Sequence, residues 1–302
     1  MCIGIIDIGS NTVRLAVYEV KEKKYKKIFS KKKMLGLISY IEKNKISEEG
    51  AEKLAAVLRE FDGIMDLLCI RERHYFATAS MRDIDNKQEV LKWFYETLGV
   101  SIEVISGEEE GYLDFLAVSK DKTIKDSFIL DVGGGSTELI EMKHEEAVSF
   151  CSFPIGCLNL FHRHVGFILP KKDEMTAVIG EIEDFIGDLE LPKKKKIIGV
   201  GGTCRAAASI CSGLFYNGKK MKKITLKDIT CIISMACREP VRLSREILKK
   251  KPDRIHTLIP GILILSVILE RAGAQCIEVE NVGIKEGYLL KHVIGDAYDQ
   301  KI

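Results

Sequence analysis

No stretch of this chain is apolar for long enough to cross a bilayer. The longest apolar run, Leu258 to Leu269, has 12 residues and contains Pro260, Gly261 and Ser266, whereas a spanning helix needs roughly 20. That run reads as a buried helix, and no membrane partner is expected. The nine cysteines include no C-x-x-C pair and none sits near a His at zinc-finger spacing, so reduced thiols fit best. A single Trp gives little stacking platform for nucleic acid. No Ser-His-Asp or Cys-His arrangement is visible, and the six histidines show no metal spacing. Any chemistry is therefore expected to rest on a metal and a carboxylate. No signal-peptide pattern is expected either: Met1-Cys2-Ile3-Gly4-Ile5 reads as entering a strand at once, which predicts a cytoplasmic protein.

Excess charge of one sign is also absent, since 46 Lys and Arg face 44 Asp and Glu for a net +2. Locally the balance is uneven. Eight lysines and one glutamate fall within Lys21 to Lys33, and further clusters lie at Lys193 to Lys196, Lys219 to Lys223 and Lys249 to Lys251. Such clusters can steer a polyanion, although lysine-rich loops are commonly plain solvated surface. Cys204 adjoins a glycine turn and reads either as an oxidation-sensitive thiol or as a small apolar filler.

What the chain does contain is a repeated segment. Ile6-Asp7-Ile8-Gly9-Ser10-Asn11-Thr12 and Leu130-Asp131-Val132-Gly133-Gly134-Gly135-Ser136-Thr137 are alike, and their aspartates lie 124 positions apart. In each, an apolar run ends in an acid, a turn of small and hydroxyl residues follows, and a second apolar stretch begins (Val13 to Val20, Glu138 to Met142). Two β-hairpins are the natural reading. Small residues let backbone N–H groups approach an anion, hydroxyls add donors, and the acid can hold a divalent cation.

With 302 residues and 46% apolar composition, two buried cores are expected. After the first hairpin come a strand at Tyr25 to Phe29 and a helix over Ser47 to Leu68, whose apolar residues recur at three and four. A strand at His74 to Ala79, a helix over Lys87 to Leu98, a strand at Ile102 to Ile105 and a helix over Gly107 to Val118 follow. The second half repeats the order: strands near Ser127, Thr137 and Ala147, helices near Leu158 and Met175, and a strand at Lys196 to Val200. An Ala-rich helix then starts from Cys204, a late strand spans Cys276 to Val279, and a helix over Gly283 to Val293 closes the chain. Meander followed by alternation predicts α/β domains with mixed sheets. The boundary is expected within Lys120 to Asp126, giving domains 1–122 and 123–284, with the closing helix of about 285–302 returning to the first.

Asp7 and Asp131 would sit at C-terminal strand ends, where an open sheet presents ligands; either alone reads equally well as a turn cap. Gly201-Gly202-Thr203 forms a third strand-to-helix turn aimed at an anion. In Ser106-Gly107-Glu108-Glu109-Glu110-Gly111, Ser106 and Glu109 match a capping box. Taken alone, the three glutamates are more simply read as complementing the helix dipole. A partly desolvated Glu110 could instead act as a general base on water. Arg82 and Arg14 could contact phosphoryl oxygens, or form surface ion pairs.

Together these stretches resemble the exopolyphosphatase / guanosine pentaphosphate phosphohydrolase family of the actin, sugar-kinase and Hsp70 ATPase superfamily. The resemblance runs through Ile6 to Leu15, Ala77 to Arg82, Glu103 to Gly111, Asp131 to Leu139 and Val200 to Thr203. It implies two ribonuclease-H-like domains, each a mixed five-stranded sheet flanked by helices, with a cleft between them. It also implies Glu110 as general base, Arg82 as a phosphate contact, and Asp131 and Glu138 as acids for Mg²⁺ and the attacking water. The phosphate clamp implied is Asp7, Gly9, Ser10, Asn11 and Arg14 on one side and Gly133, Gly134, Gly135, Ser136 and Thr137 on the other, with Gly201, Gly202 and Thr203. The activity implied is hydrolysis of the terminal phosphoanhydride of inorganic polyphosphate or of guanosine pentaphosphate, with a homodimer as one possible assembly. An ATP-dependent small-molecule kinase and a non-catalytic guanosine tetraphosphate sensor are the competing readings. Two segments depart from the family pattern: Arg254-Ile255-His256 stands for Arg-Ala-Asp, and Gly283-Ile284-Lys285-Glu286-Gly287 for Gly-Leu-Arg-Glu-Gly.

Overall fold

The apolar run that opens the chain becomes β1 (Cys2–Ile8), buried at every residue after Cys2, as a strand covered on both faces must be. It pairs antiparallel with β2 (Thr12–Lys21), which pairs antiparallel with β3 (Lys24–Met34). The structure, a computed structural model, describes residues 1–120, 122–187, 189, 191–194 and 196–295. β3 continues five residues beyond the expected end at Phe29. Its lysine run conceals the strand pattern, and Lys31 and Lys33 reach Glu60 at 2.7 and 2.8 Å.

A small ribbon of β4 (Ile41–Glu42) and β5 (Lys45–Ile46) leads into α1 (Glu48–Leu67). Ser47 caps that helix, its hydroxyl accepting from the Gly50 amide at 3.2 Å, which satisfies one of the donors a helix start leaves open. β6 (Glu72–Ala77), α2 (Ala79–Arg82), α3 (Lys87–Leu98) and β7 (Glu103–Val104) follow. The sheet order is β3-β2-β1-β6-β7, with β1, β6 and β7 parallel. Leu54, Leu58 and Phe61 of α1 and Phe94 of α3 pack with Ile6, Ile8, Leu15 and Val17 in one core.

The second half is built to the same plan. α4 (Gly107–Ser119) precedes the meander of β8 (Ser127–Val132), β9 (Thr137–Lys143) and β10 (Glu146–Phe153). Then come α5 (Cys157–His164), α6 (Lys172–Ile186), β11 (Ile197–Val200) and α7 (Gly201–Phe215). The chain continues through β12 (Lys223–Thr225), α8 (Leu226–Arg238), α9 (Pro240–Lys250), α10 (Leu258–Arg271), β13 (Cys276–Val279) and α11 (Ile284–Tyr288). Alternate residues of β8 face opposite cores: Phe128, Leu130 and Val132 pack with α7 and α10, and Ile129 packs with Val118 of α4.

This sheet has six strands rather than the expected five, in the order β10-β9-β8-β11-β13-β12. The addition is the three-residue β12, antiparallel to β13; three residues carry too little alternation to be recognised as a strand. α7 begins at Gly201, before the expected Cys204, because the glycine turn itself is its first turn.

The chain divides into two compact units, Met1–Glu110 with the segment from Tyr288 onward, and Gly111–Gly287. The division falls inside α4, not within Lys120 to Asp126. From Gly111 on, that helix lies on the second sheet: a Cβ at Gly111 would meet Phe150 and Ile140 at 3.2 and 3.3 Å. In the first unit, Tyr288 stacks on Phe76 with centroids 4.8 Å apart, and its hydroxyl donates to Glu103 at 2.7 Å. The expected closing helix is broken into α11 and a π-helical turn over Leu289–Ile294. Its expected last residues, 296–302, lie outside the described residues, as does Lys195 of one lysine cluster. No helix among the described residues is long and apolar enough to cross a membrane.

Leu263 of α10 is fully buried in the second core. Leu263→Ala should lower stability by about 2–5 kcal/mol through the cavity it opens, read as a shift of the urea midpoint. An unchanged midpoint would contradict this packing.

Candidate functional site

In the first unit, Asp7 is the penultimate residue of β1, and the chain reverses through Gly9, Ser10 and Asn11. The Gly9 amide donates to the Thr12 carbonyl at 3.1 Å and closes the turn. The Ser10 carbonyl accepts from Ile38 N at 3.2 Å, and the Asn11 carbonyl accepts from Leu35 N and Gly36 N at 3.0 Å each. In a planar trans peptide the N–H of the next residue points opposite to the carbonyl. The amides of Asn11 and Thr12 are therefore directed away from the 35–38 segment.

Beside this turn lie the ends of the neighbouring parallel strands. Thr78 N donates to the Ile8 carbonyl at 3.3 Å, and Arg82 N donates to the Thr78 carbonyl at 3.1 Å. Nη1 of Arg82 then donates to Oε2 of Glu110 at 2.6 Å, a charge-assisted bond. Glu110 is only 7% exposed. Asp7 thus lies at the C-terminal end of β1, and Arg82 and Glu110 follow the C-terminal ends of β6 and β7, where open sheets place ligands.

Glu109, its neighbour, has another task. Its amide donates to the Ser106 hydroxyl at 3.1 Å, which is half of the expected capping box. Its carboxylate pairs with Lys291 instead of turning back to Ser106.

The second loop has the same skeleton, 124 positions on. The Gly133 amide donates to the Ser136 carbonyl at 2.9 Å. Behind it lies the start of α5. Cys157 N donates to the Gly133 carbonyl at 3.0 Å, while Leu158 N and Asn159 N donate to the Gly134 carbonyl at 2.9 and 3.2 Å. Nδ2 of Asn159 donates to the Gly135 carbonyl at 3.0 Å. With three carbonyls held from behind, the amides of Gly134, Gly135 and Ser136 point the other way, and successive amides so aligned form an anion-binding nest. Gly156 permits this approach: a Cβ there would lie 2.3 Å from the Gly134 carbonyl carbon and oxygen.

The loops differ in the residue facing the acid. Asp7 is directly opposite Arg14 in its ladder, whereas Asp131 is directly opposite Glu138. Directly opposed residues share a sheet face, and like charges there repel. Two carboxylates so placed offer an oxygen-only donor set of the kind that suits a hard divalent metal. Ser152 Oγ donates to Glu138 Oε1 at 3.0 Å and orients it.

Asp131 also touches the third turn. A Cβ on Gly201 would lie 1.8 Å from Asp131 Oδ1, and Gly201 has φ +74°, so only glycine serves there. Two hydroxyls expected at the phosphate clamp are used inside the fold. Thr137 Oγ1 donates to the Ile155 carbonyl at 2.6 Å, and Thr203 Oγ1 donates to the Val132 carbonyl at 2.7 Å.

Sequence reasoning missed Gly156, Asn159 and Ser152, which carry no motif of their own and act only through backbone or neighbouring strands. Arg254, noted only as a departure from the family pattern, is buried and donates through Nη1 to Thr203 Oγ1 at 3.3 Å. Its neighbour His256 lies against Phe161, and burial lowers its pKa, as do His162 and Arg254. Cys204 is fully buried; burial first, and then Asp131, push its thiol far above the ordinary range. Of the two readings of Cys204, the buried apolar filler is the one the fold realises.

A model of the Ppx/GppA phosphatase family matches residues 16–294. Phosphatases of that family generally work with a divalent metal, which the paired Asp131 and Glu138 suit. The chain is similar to the bifunctional 3-dehydroquinate synthase/phosphatase of Fusobacterium nucleatum, 29% identical over 95% of this chain, and spans 46% of that relative's length. It is 26% identical to exopolyphosphatase 1 of Mycobacterium tuberculosis H37Rv over 98% of this chain and 90% of that protein. The crystal structure of the Aquifex aeolicus Ppx/GppA family member superimposes with a TM-score of 0.78 at 26% identity, covering 97% of this chain and 98% of that one.

The thiols give a direct check on this geometry. Burial raises the pKa of Cys157, Cys204 and Cys211, the last to about 12, while Cys2, Cys69 and Cys237 are exposed. Iodoacetamide at pH 8 should label the exposed three in native protein and leave the buried three unmodified until denaturant is added. Native labelling of Cys204, found by peptide mass spectrometry, would contradict the packing behind Asp131.

Proposed function

Because the chain belongs to the Ppx/GppA phosphatase family, we propose that it hydrolyses the terminal phosphoanhydride of inorganic polyphosphate. The 5′ γ-phosphate of guanosine pentaphosphate is the second substrate of this reading. The observation that carries it is the buried Glu110 carboxylate, held by Arg82 at 2.6 Å beside a phosphate-type turn. A hydrolase needs a base for water in such a place. Polyphosphate comes first because the relative matched almost end to end is an exopolyphosphatase.

The chain's own groups supply most of the chemistry. Glu110 accepts a proton from water as the water oxygen bonds to the terminal phosphorus. The bridging P–O bond breaks, and the shortened chain leaves with that electron pair. Arg82 aligns the carboxylate and adds a fixed positive charge. In the second unit the outward amides of Gly134, Gly135 and Ser136 are preset donors for phosphoryl oxygens, as is the amide of Asn11 in the first. Asp131 and Glu138 would hold the divalent cation, and their hard oxygen donors favour Mg²⁺. When bound, such an ion neutralises charge on phosphoryl oxygens.

Phosphate release should be measured on long polyphosphate, short polyphosphate and guanosine pentaphosphate, with and without Mg²⁺. Transfer to an acceptor without phosphate release would replace this reading with a kinase. Tight guanosine tetraphosphate binding with no turnover would replace it with a sensor.

Glu110→Gln should lower kcat by about 10²–10⁴ and change KM little, as expected for loss of a general base. Undiminished turnover on both substrates would remove Glu110 from the mechanism. Glu138→Gln should weaken Mg²⁺ binding in calorimetry, with far-UV circular dichroism unchanged. Equal Mg²⁺ affinity in variant and parent would take Glu138 out of the metal site.

A further inference from the structure

Five cations meet at one cavity in the second unit, apart from every residue assigned above. It is an open cavity of about 350 Å³ lined by Arg205, Lys220, Lys222, Lys250 and Lys251, with no aspartate or glutamate among its described lining residues. Two of the lysine clusters conspicuous in the sequence thus converge in space. Like charges gathered this closely repel one another, and an anion between them relieves the repulsion.

The cavity is built rather than incidental. Arg205, Ala208, Ser209 and Ser212 lie along one face of α7 at helical spacing, a track about 10 Å long. Nη1 of Arg205 donates to the carbonyls of Val282 at 3.2 Å and Glu280 at 3.5 Å, which anchors the guanidinium. Lys250 approaches Glu246 at 3.8 Å. Lys250 and Lys251 come from the end of α9, and Lys220 and Lys222 from the approach to β12.

The lining also limits the ligand. No aromatic ring is among its described lining residues, so a nucleobase would find no face to stack on. Its apolar residues are Ala208, Met221 and Val279, too few for a lipid tail or a hydrophobic peptide. A 10 Å track with cations on several sides suits an extended, multiply charged anion better than a single phosphate ion. No carboxylate that could activate water is among its described lining residues, so the role is binding and not chemistry.

We propose that this cavity is an auxiliary site that holds a run of inorganic condensed phosphate. It lets the protein keep a long chain while the terminal group is processed elsewhere. That use rests on the hydrolase reading above, whereas the binding itself does not.

The test is calorimetry of long-chain inorganic polyphosphate against the full chain carrying Glu110→Gln, over a series of salt concentrations. Adding Lys220→Gln, Lys222→Gln and Lys251→Gln should weaken binding about tenfold and reduce the slope of log K against log salt by about 2, as counterion release predicts. A matched variant with Lys24→Gln, Lys26→Gln and Lys27→Gln removes the same charge from β3 and should bind as the parent does. Equal weakening by both triple variants would reduce the effect to overall charge and overturn the site. Unchanged affinity in the cavity variant would also overturn it. So would a variant that loses guanosine tetraphosphate but keeps polyphosphate, since a nucleotide would then be the occupant.

In the active chain, the cavity variant should raise KM for long polyphosphate and leave KM for tripolyphosphate unchanged. If the parent releases no phosphate from any substrate, the hydrolase reading fails while the binding comparison still decides the cavity.

Discussion

Three backbone carbonyls set the direction of the glycine loop, and most of the second unit's site depends on them. Once α5 takes the carbonyls of Gly133, Gly134 and Gly135, peptide planarity leaves the next three amides only one direction. Each bond contributes about 1 kcal/mol net, so the set is modest as a source of stability. Its consequence is positional. A glycine-rich loop is otherwise the most conformationally free segment a chain can have, and four bonds from one helix turn it into a fixed row of donors.

The two hairpins show how a duplicated frame can acquire unequal chemistry. The closing bond of the turn recurs at the same offset, from Gly9 to Thr12 and from Gly133 to Ser136. What changes is one cross-strand partner: Arg14 facing Asp7, and Glu138 facing Asp131. The first pair is neutral overall and places a cation beside the turn. The second places two acids on one face, an oxygen donor set of the kind that suits a hard cation. One register position thus separates a hairpin with a mixed acid–base pair from one with two opposed acids.

Much of the fold was legible because its strands and helices are strongly patterned. The helix over Lys87 to Leu98 and the strand over Cys276 to Val279 stand where periodicity put them. The failures share a cause: elements whose existence depends on neighbours. β12 is three residues long and exists because β13 offers an edge. The far end of β3 is lysine-rich and is held in part through Glu60 of α1. The bonds made by two hydroxyls were hidden for a similar reason. Thr137 and Thr203 look like phosphate donors in the linear motif, but each sits within reach of a buried carbonyl that would be costly to leave unpaired.

The amino-acid sequence alone determined the hairpin pair, the acids that end each first strand, the α/β class and the family. Those properties follow from local pattern, which needs no knowledge of what packs against what. Tertiary structure decided which groups can act. It brought Arg82 onto Glu110 across 28 positions, turned three amides outward, and drew two distant lysine clusters to one cavity. It also consumed Glu109, Thr137 and Thr203 in structural bonds. Residue type sets what a side chain can do, but burial and the nearest partner set whether it is left to do it, and both are properties of the fold.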